Sequence, residues 1–446
     1  MLGLLLLPAL AGIPLLGPPP FFRKEPGKEV FRPGARILWL GDSITHACRY
    51  TRYLEDYAWS RYPDNDLRFL NTGVSGDRAL DVLLRFDLDV RPFHPDTIFL
   101  CLGMNDGGFT TEGKEERFAI FRRHMSLLLD RIRDGGSRCV LISPPPVDPD
   151  AVFPLKGLPI PRKVGPGYDR VLKDFSEWLE DEAKRRRIPF VDAHGALSSF
   201  TRRLRFANPA STLVPDGVHP GRIGAALMAL EVLDRIGERG PRFVVELIRG
   251  VGRGKIRGAD LRKLRWPPSG VRFVLKARSL PWVLPRPARG AAPLDPRYEA
   301  LNRSVLRIRD LVPGRYGLYI DGIRILSATS RDLARGIDLG LEDLHPDWRQ
   351  AESLTEENGR RNAVIRTGIL DLSEARQTAR NLEARGLTAG PAYRRAKARI
   401  EELNALLAEV GRKVVASEKR IARLRTPRPH DYEIRLETRR TRIPGR

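Results

Sequence analysis

The chain is poor in cysteine: Cys48, Cys101 and Cys139 are the only ones among its 446 residues. No two of them form a Cys-x-x-Cys pair, so a structural zinc site is not expected, and no metal or cofactor is assigned. There is no disulfide framework either. Cys101 and Cys139 sit in apolar runs of strand character and read as core fillers. Long apolar runs are also scarce. The N-terminal stretch MLGLLLLPALAGIPLLGPPP is broken by Pro8 and Pro14, and a spanning helix needs roughly 20 apolar residues, so an anchor is not expected. Its apolar part has the length of an export signal. No Lys or Arg precedes that part, and no Cys directly follows it, which excludes a lipid-anchored lipoprotein. The expectation is an exported protein, periplasmic or secreted, with residues 1–33 as signal-like segment and linker.

Acidic residues are scarce in one half only. Residues 241–446 hold 44 Lys and Arg against 24 Asp and Glu, whereas residues 1–240 hold 34 against 31. The net charge of +23 therefore belongs mainly to the C-terminal half. Such a surface suits an anionic polymer or a membrane face. Aromatic residues are not interleaved with the basic ones as a base-stacking groove requires, so nucleic acid is not expected as a partner. The competing reading is a solvated face of Arg-rich helices.

From Arg36 onward, short apolar runs alternate with segments of helical periodicity. The runs are RILWL, LRFLNTGV (67–74), TIFLCLG (97–103), RCVLISPPP (138–146) and IPFVDAHG (188–195). Continuous apolar strands separated by helices predict an α/β fold, a three-layer α/β/α sandwich on a five-stranded parallel sheet over residues 34–238. Residues 239–326 alternate apolar and polar residues, with turn signals at Pro313-Gly314 and Asp321-Gly322, and predict an antiparallel β region. Residues 327–446 predict a basic helical region. Its long amphipathic helix begins at PAYRRAKARIEELNALLAEV, and segment 347–385 is expected to pair with it as a hairpin that acts as a buttress.

In open parallel sheets, chemistry gathers at the carboxyl ends of the strands. Here those ends read Gly41-Asp42-Ser43, then NTGVSGD (71–77), then Gly103-Met104-Asn105-Asp106, and finally DGVHPG (216–221) before the last helix of the domain. Taken singly, each has a structural explanation. Ser43 suits a helix N-cap, and Gly73 and Gly76 suit turns. Taken together they meet a chemical demand. A serine hydroxyl becomes a nucleophile only beside a base. Histidine suits that role near neutrality, and a carboxylate must orient its other nitrogen. The spacing of Asp216 and His219 allows the one to hold the other locally. A tetrahedral intermediate also needs preorganised N–H donors, which a glycine loop and an Asn carboxamide at neighbouring strand ends can supply.

These four motifs resemble those of the SGNH, or GDSL-type, serine hydrolases, over roughly residues 35–238. The resemblance rests on Gly41-Asp42-Ser43-Ile44, Ser75-Gly76-Asp77, Gly103-Met104-Asn105-Asp106 and Asp216-Gly217-Val218-His219-Pro220. It implies a flavodoxin-like fold and a metal-free mechanism, with Ser43 as nucleophile, His219 as base and Asp216 as its partner. It also implies oxyanion donors in the N–H of Ser43, the N–H of Gly76 and the side chain of Asn105. Gly73 is the competing loop glycine; the family pattern favours Gly76, which precedes Asp77 at the opening of a helix. The expected activity is hydrolysis of small acyl esters, such as acetyl groups on carbohydrates, with a small-molecule or glycan ester as substrate. The alternatives are a lysophospholipase or thioesterase of the same family and, in another class, a non-catalytic scaffold that binds an anionic polymer or surface. His46 faces either substrate or core and lacks a local carboxylate to make it a base. Asp192 and His194 mimic an orienting pair but are expected at the rim or in a structural role. Arg78 and Asp106 are expected to support the site. Trp266, Trp282, Tyr316 and Tyr319 suit either sugar stacking or core packing.

Overall fold

The computed structural model describes residues 29–148, 165 and 167–437. Residues 1–28 of the expected signal-like segment and linker lie outside these residues, whereas Val30 and Phe31 are buried in the core of the first domain. Five strands form the first sheet: β1 (Arg36–Gly41), β2 (Arg68–Asn71), β3 (Thr97–Cys101), β4 (Arg138–Ile142) and β5 (Phe190–Val191). Their order is β2-β1-β3-β4-β5 and every pairing is parallel. β2 to β5 are each shorter than their apolar runs, because those runs continue into the polar tip. The connecting helices are α1 (Ser43–His46), α2 (Tyr50–Arg61), α3 (Ala79–Asp89), α4 (Lys114–Asp134), α5 (Tyr168–Arg186) and α6 (Ala193–Ala207). Helix α7 (Arg222–Arg235) closes the domain. Right-handed crossovers put helices on both faces of the sheet. The core between them includes Trp39, Phe99, Phe121 and Phe175, with Cys101 and Cys139 fully or nearly fully buried as expected.

The second half builds two sheets. One runs β13-β10-β6-β7, from β6 (Phe243–Ile248), β7 (Gly252–Arg257), β10 (Ser304–Arg309) and β13 (Ile337–Asp338). The other runs β12-β11-β14-β9-β8, from β8 (Ala259–Arg265), β9 (Gly270–Ala277), β11 (Arg315–Ile320), β12 (Ile323–Thr329) and β14 (Pro429–Leu436). The second sheet is antiparallel throughout, but β6 and β10 pair in parallel. Asp321 and Gly322, both at positive φ (49° and 79°), close the β11–β12 hairpin, as a two-residue Asp-Gly turn should. Pro313-Gly314 instead carries the chain from one sheet to the other. Leu306 and Ile308 of β10 and Leu318 and Ile320 of β11 then meet in one core.

Two short helices, α8 (Pro296–Asn302) and α9 (Ser330–Arg335), join these strands. The C-terminal hairpin consists of α10 (Pro346–Ile365), a π-helical turn (Arg366–Leu370), α11 (Asp371–Ala384) and α12 (Pro391–Leu424). The expected division between 239–326 and 327–446 does not follow the architecture. Strand β12 crosses it, and β14 returns from the hairpin to lie between β9 and β11. A strand inserted mid-sheet takes its partners from distant sequence, so no local pattern marks the boundary.

The hairpin is docked on the first domain by a buried polar seam against α2. Asn358 donates to Asp56 Oδ1 at 2.9 Å and Asn362 to Glu55 Oε2 at 2.8 Å. Arg361 donates to the Phe69 carbonyl at 3.1 Å and to Glu55 at 3.4 Å, and stacks 5.4 Å from the Trp59 ring. Removing one member of a buried charged set leaves the others desolvated, at a cost of about 3 kcal/mol or more. Arg361→Ala is therefore expected to lower the unfolding free energy by that amount, measured by equilibrium urea denaturation.

Candidate active site

Strand β1 ends against β3 so closely that a Cβ on Gly41 would stand 2.4 Å from the Cys101 carbonyl oxygen and 2.4 Å from Thr45 Oγ1. Only glycine fits there. Asp42 then caps α1, its Oδ1 accepting from Ile44 N–H at 2.9 Å. Burial pushes its carboxyl up to about 6, against the opposing effect of that hydrogen bond. Ser43 opens the helix, half-buried, so the N-cap belongs to its neighbour and its hydroxyl is left free for another partner.

That partner is His219, whose Nε2 lies 2.8 Å from Ser43 Oγ. His219 Nδ1 lies 2.8 Å from Asp216 Oδ2, and Asp216 Oδ1 accepts the N–H groups of His219 (2.6 Å) and Val218 (3.0 Å). Burial alone would raise the Asp216 carboxyl. The His219 side chain and the two backbone donors outweigh it and hold the group at about 2. The segment that carries both residues is fastened on two sides. Gly217 accepts from Asp148 N–H at 2.9 Å, and Arg49 donates to the Pro220 carbonyl at 2.8 Å.

The two loop glycines differ. A Cβ on Gly73 would meet His46 N at 2.5 Å, and the Gly73 N–H already donates to Asn71 Oδ1 at 2.9 Å. Gly73 is thus a close-approach glycine. Gly76 has φ +81° with nothing within 4 Å of an added Cβ, and its N–H has no partner among the described residues. Asp77 N–H donates to the Val74 carbonyl at 3.2 Å, and Ser75 is not at positive φ. Val74–Asp77 is accordingly a type II turn, which requires the positive φ that glycine supplies at its third position. Asn105 Nδ2 donates to the Asp77 carbonyl at 3.0 Å, keeping a second N–H, and Asp106 Oδ1 accepts from Ala79 N–H at 3.0 Å to cap α3. Arg78 pairs with Asp81 at 3.0 Å, on the rim of α3.

Sequence reasoning missed two groups. Arg85, buried on α3, donates to Asp77 Oδ2 and to the Thr72 carbonyl, both at 2.8 Å, and braces the Gly76 loop from behind. From the front, the C-terminal hairpin reaches the site. Ser75 Oγ donates to Glu374 Oε2 at 3.0 Å, and His46 Nε2 lies 3.5 Å from Asp371 Oδ1 and 3.7 Å from Glu374 Oε2. His46 thus faces the hairpin. No local pattern could signal this, since the partners lie some 300 residues apart. His46, Asp371 and Glu374 are the one cation-sized donor group among the described residues. The fit is poor: Arg399 lies 3.6 Å from Asp371, and His46 Nδ1 is buried without the partner that ligating imidazoles usually have.

Asp192 caps α6 through Gly195 N–H (2.8 Å), and His194 Nε2 lies 3.2 Å from Asp169 Oδ1. Trp282 and Tyr316 are core residues, Trp266 packs at the edge of the second core, and Tyr319 is covered by Arg435 at 4.0 Å. Beside His219, a shallow recess is lined by Ile44, Ala47, Tyr50, Pro220, Ala225 and Met228, among others.

At the carboxyl edge of a doubly wound sheet, a serine, a histidine and a carboxylate stand in the geometry that acyl transfer uses. Residues 39–227 match the GDSL-like Lipase/Acylhydrolase family. The chain is 25% identical over 224 residues to an acetylxylan esterase of Geobacillus stearothermophilus, covering 46% of this chain and 94% of the relative. It is 31% identical over 121 residues to the uncharacterized lipoprotein YqeF of Bacillus subtilis (strain 168), covering 25% of this chain and 49% of that one. Its fold matches a gut microbial diltiazem-metabolizing enzyme at a TM-score of 0.76 and 21% identity, over 91% of this chain and 98% of that one. The accessory half is therefore part of a shared architecture. The N-terminal domain belongs to the SGNH/GDSL esterase family, and the protein is an ester-bond hydrolase.

The Asp216 carboxyl, lowered from its ordinary 3.8 to about 2, contributes stability that is present above pH 4 and lost as pH falls through about 2. The gap in unfolding free energy between the wild type and Asp216→Asn is expected to be open at pH 6 and to close between about pH 4 and pH 2, followed by urea titrations across that range.

Proposed function

We propose that the protein is a serine esterase for small acyl esters, with Ser43, His219 and Asp216 as its catalytic residues. The observation that carries this reading is the continuous relay from Ser43 Oγ through His219 to Asp216, at 2.8 Å and 2.8 Å, beside unpaired N–H groups. His219 Nε2 takes the Ser43 proton as Oγ attacks the ester carbonyl. The oxyanion is received by the N–H of Ser43, the N–H of Gly76 and the second N–H of Asn105. Collapse expels the alcohol, which takes its proton from His219. Water, deprotonated by the same imidazole, then attacks the acyl-enzyme, and Ser43 regains its proton as the acid leaves. Asp216, held ionised, keeps the Nδ1–H in place and stabilises the imidazolium.

The acetylxylan esterase relative supports an acetylated carbohydrate as substrate. The lipoprotein relative and the apolar N-terminal stretch support export; no helix among the described residues is long and apolar enough to cross a membrane. Docking of the basic half on an anionic polymer or membrane has less support, because Arg361, Arg399 and Arg420 of the hairpin are paired with carboxylates.

With p-nitrophenyl acetate, butyrate and palmitate, kcat/KM is expected to fall with chain length, and Ser43→Ala is expected to lower it by at least about 10³-fold. Activity retained in Ser43→Ala contradicts the mechanism, and a preference for palmitate contradicts the substrate reading.

A further inference from the structure

The loop that carries Gly76 is held by backbone bonds from Val74 N–H to the Gly41 carbonyl (3.0 Å) and from Asp77 N–H to the Val74 carbonyl (3.2 Å), and by three side-chain contacts. Arg85 grips its start at the Thr72 carbonyl and its end at the Asp77 carboxylate. Asn105 holds the Asp77 carbonyl. Neither touches the corner itself, the Ser75-Gly76 peptide whose N–H has no acceptor among the described residues. The corner's side-chain anchor is the Ser75 hydroxyl, which donates at 3.0 Å to Glu374 of the C-terminal hairpin.

Several features put Glu374 there. The π-helical turn at 366–370 inserts an extra residue ahead of α11 and re-phases the helix that follows. Gly368 lets that turn press on α12, where an added Cβ would meet Val410 at 2.6 Å. Leu370 and Ile365 pack on Cys48, just after α1. Asp371 is steadied between His46 (3.5 Å) and Arg399 (3.6 Å), and His46 also lies 3.7 Å from Glu374. The hairpin is thus registered against both the nucleophile's helix and the oxyanion loop.

We infer that Glu374 is a positioning residue for the ester hydrolysis: through Ser75 it holds the Gly76 N–H at the distance the oxyanion requires, so that the C-terminal hairpin completes the active site. The inference rests on the reading of Ser43 and Gly76 given above. The carboxylate acceptor makes the Ser75 bond charge-assisted, and a displacement of about 1 Å at a reacting centre can cost about 10²-fold in rate. An oxyanion donor acts on the transition state more than on bound substrate, so its loss falls on kcat and not on KM.

The test uses the full chain and p-nitrophenyl acetate. Ser75→Ala and Glu374→Ala are each expected to lower kcat about tenfold with KM changed less than about twofold. The double variant is expected to be no worse than either single, since both break one bond. Glu374→Gln keeps an acceptor for the hydroxyl and is expected to recover most of kcat. Full kcat in Ser75→Ala, losses that multiply in the double variant, or an effect confined to KM would each overturn the inference. So would loss of wild-type kcat in EDTA restored by zinc, which would assign Glu374 to a cation with His46 and Asp371. If Ser43→Ala is inactive while the Glu374 and Ser75 variants match wild type, the positioning role fails and the mechanism stands. If Ser43→Ala is active, both fail.

Discussion

The constraint on which the site depends is the close approach of two strand ends. β1 and β3 come so near that Gly41 has no room for a side chain beside the Cys101 carbonyl. The chain must turn there, and it turns into a four-residue helix whose cap is Asp42 and whose first residue is Ser43. The serine is therefore delivered at a fixed place above the sheet. Parallel pairing puts the tips of β2 and β3 beside it, and the segment after α6 returns His219 across the same edge. The sheet fixes the backbone of the site; the individual side chains need only short reaches.

What surrounds the site is less local. Its Gly76 loop is braced by Arg85 from the helix that follows it and by Glu374 from some 300 residues away. The hairpin that bears Glu374 is itself fastened by Asn358, Arg361 and Asn362 to Asp56, Glu55 and the Phe69 carbonyl. Buried polar seams of this kind add little net stability, yet they hold geometry, because any other arrangement leaves charges desolvated. The β sandwich contributes from the far end: β14, which follows the hairpin, is locked into the middle of its sheet. The hairpin is thus tied at its start by α10 and at its end by β14, which keeps α11 in register with the loop it touches.

The parallel sheet was legible in the sequence because both its faces are covered, so most of its strands show as near-continuous apolar runs. The residues at its tips were legible because each motif is contiguous. The motif pattern favoured Gly76 over Gly73, and packing supplies the physical difference between them: Gly73 is pressed against His46 and Gly76 is left open. The second half was legible in kind but not in connection. Its Asp321-Gly322 turn was readable, whereas the parallel pairing of β6 with β10 and the insertion of β14 depend on contacts between distant segments. The reach of Glu374 to Ser75 has the same origin. A single carboxylate on an Arg- and Glu-rich helix carries no mark of its partner, and the hairpin read as a buttress.

The central claim joins Ser43 as nucleophile to Gly76 and Asn105 as oxyanion donors. The most direct measurement is a crystal structure of the full chain after reaction with a small alkyl phosphonate ester, which mimics the tetrahedral intermediate. Phosphorus is expected to be bonded to Ser43 Oγ, with one phosphonyl oxygen about 2.7–3.1 Å from the backbone N of Ser43, the backbone N of Gly76 and Asn105 Nδ2. An adduct on another residue, or a phosphonyl oxygen turned away from Gly76, would contradict it.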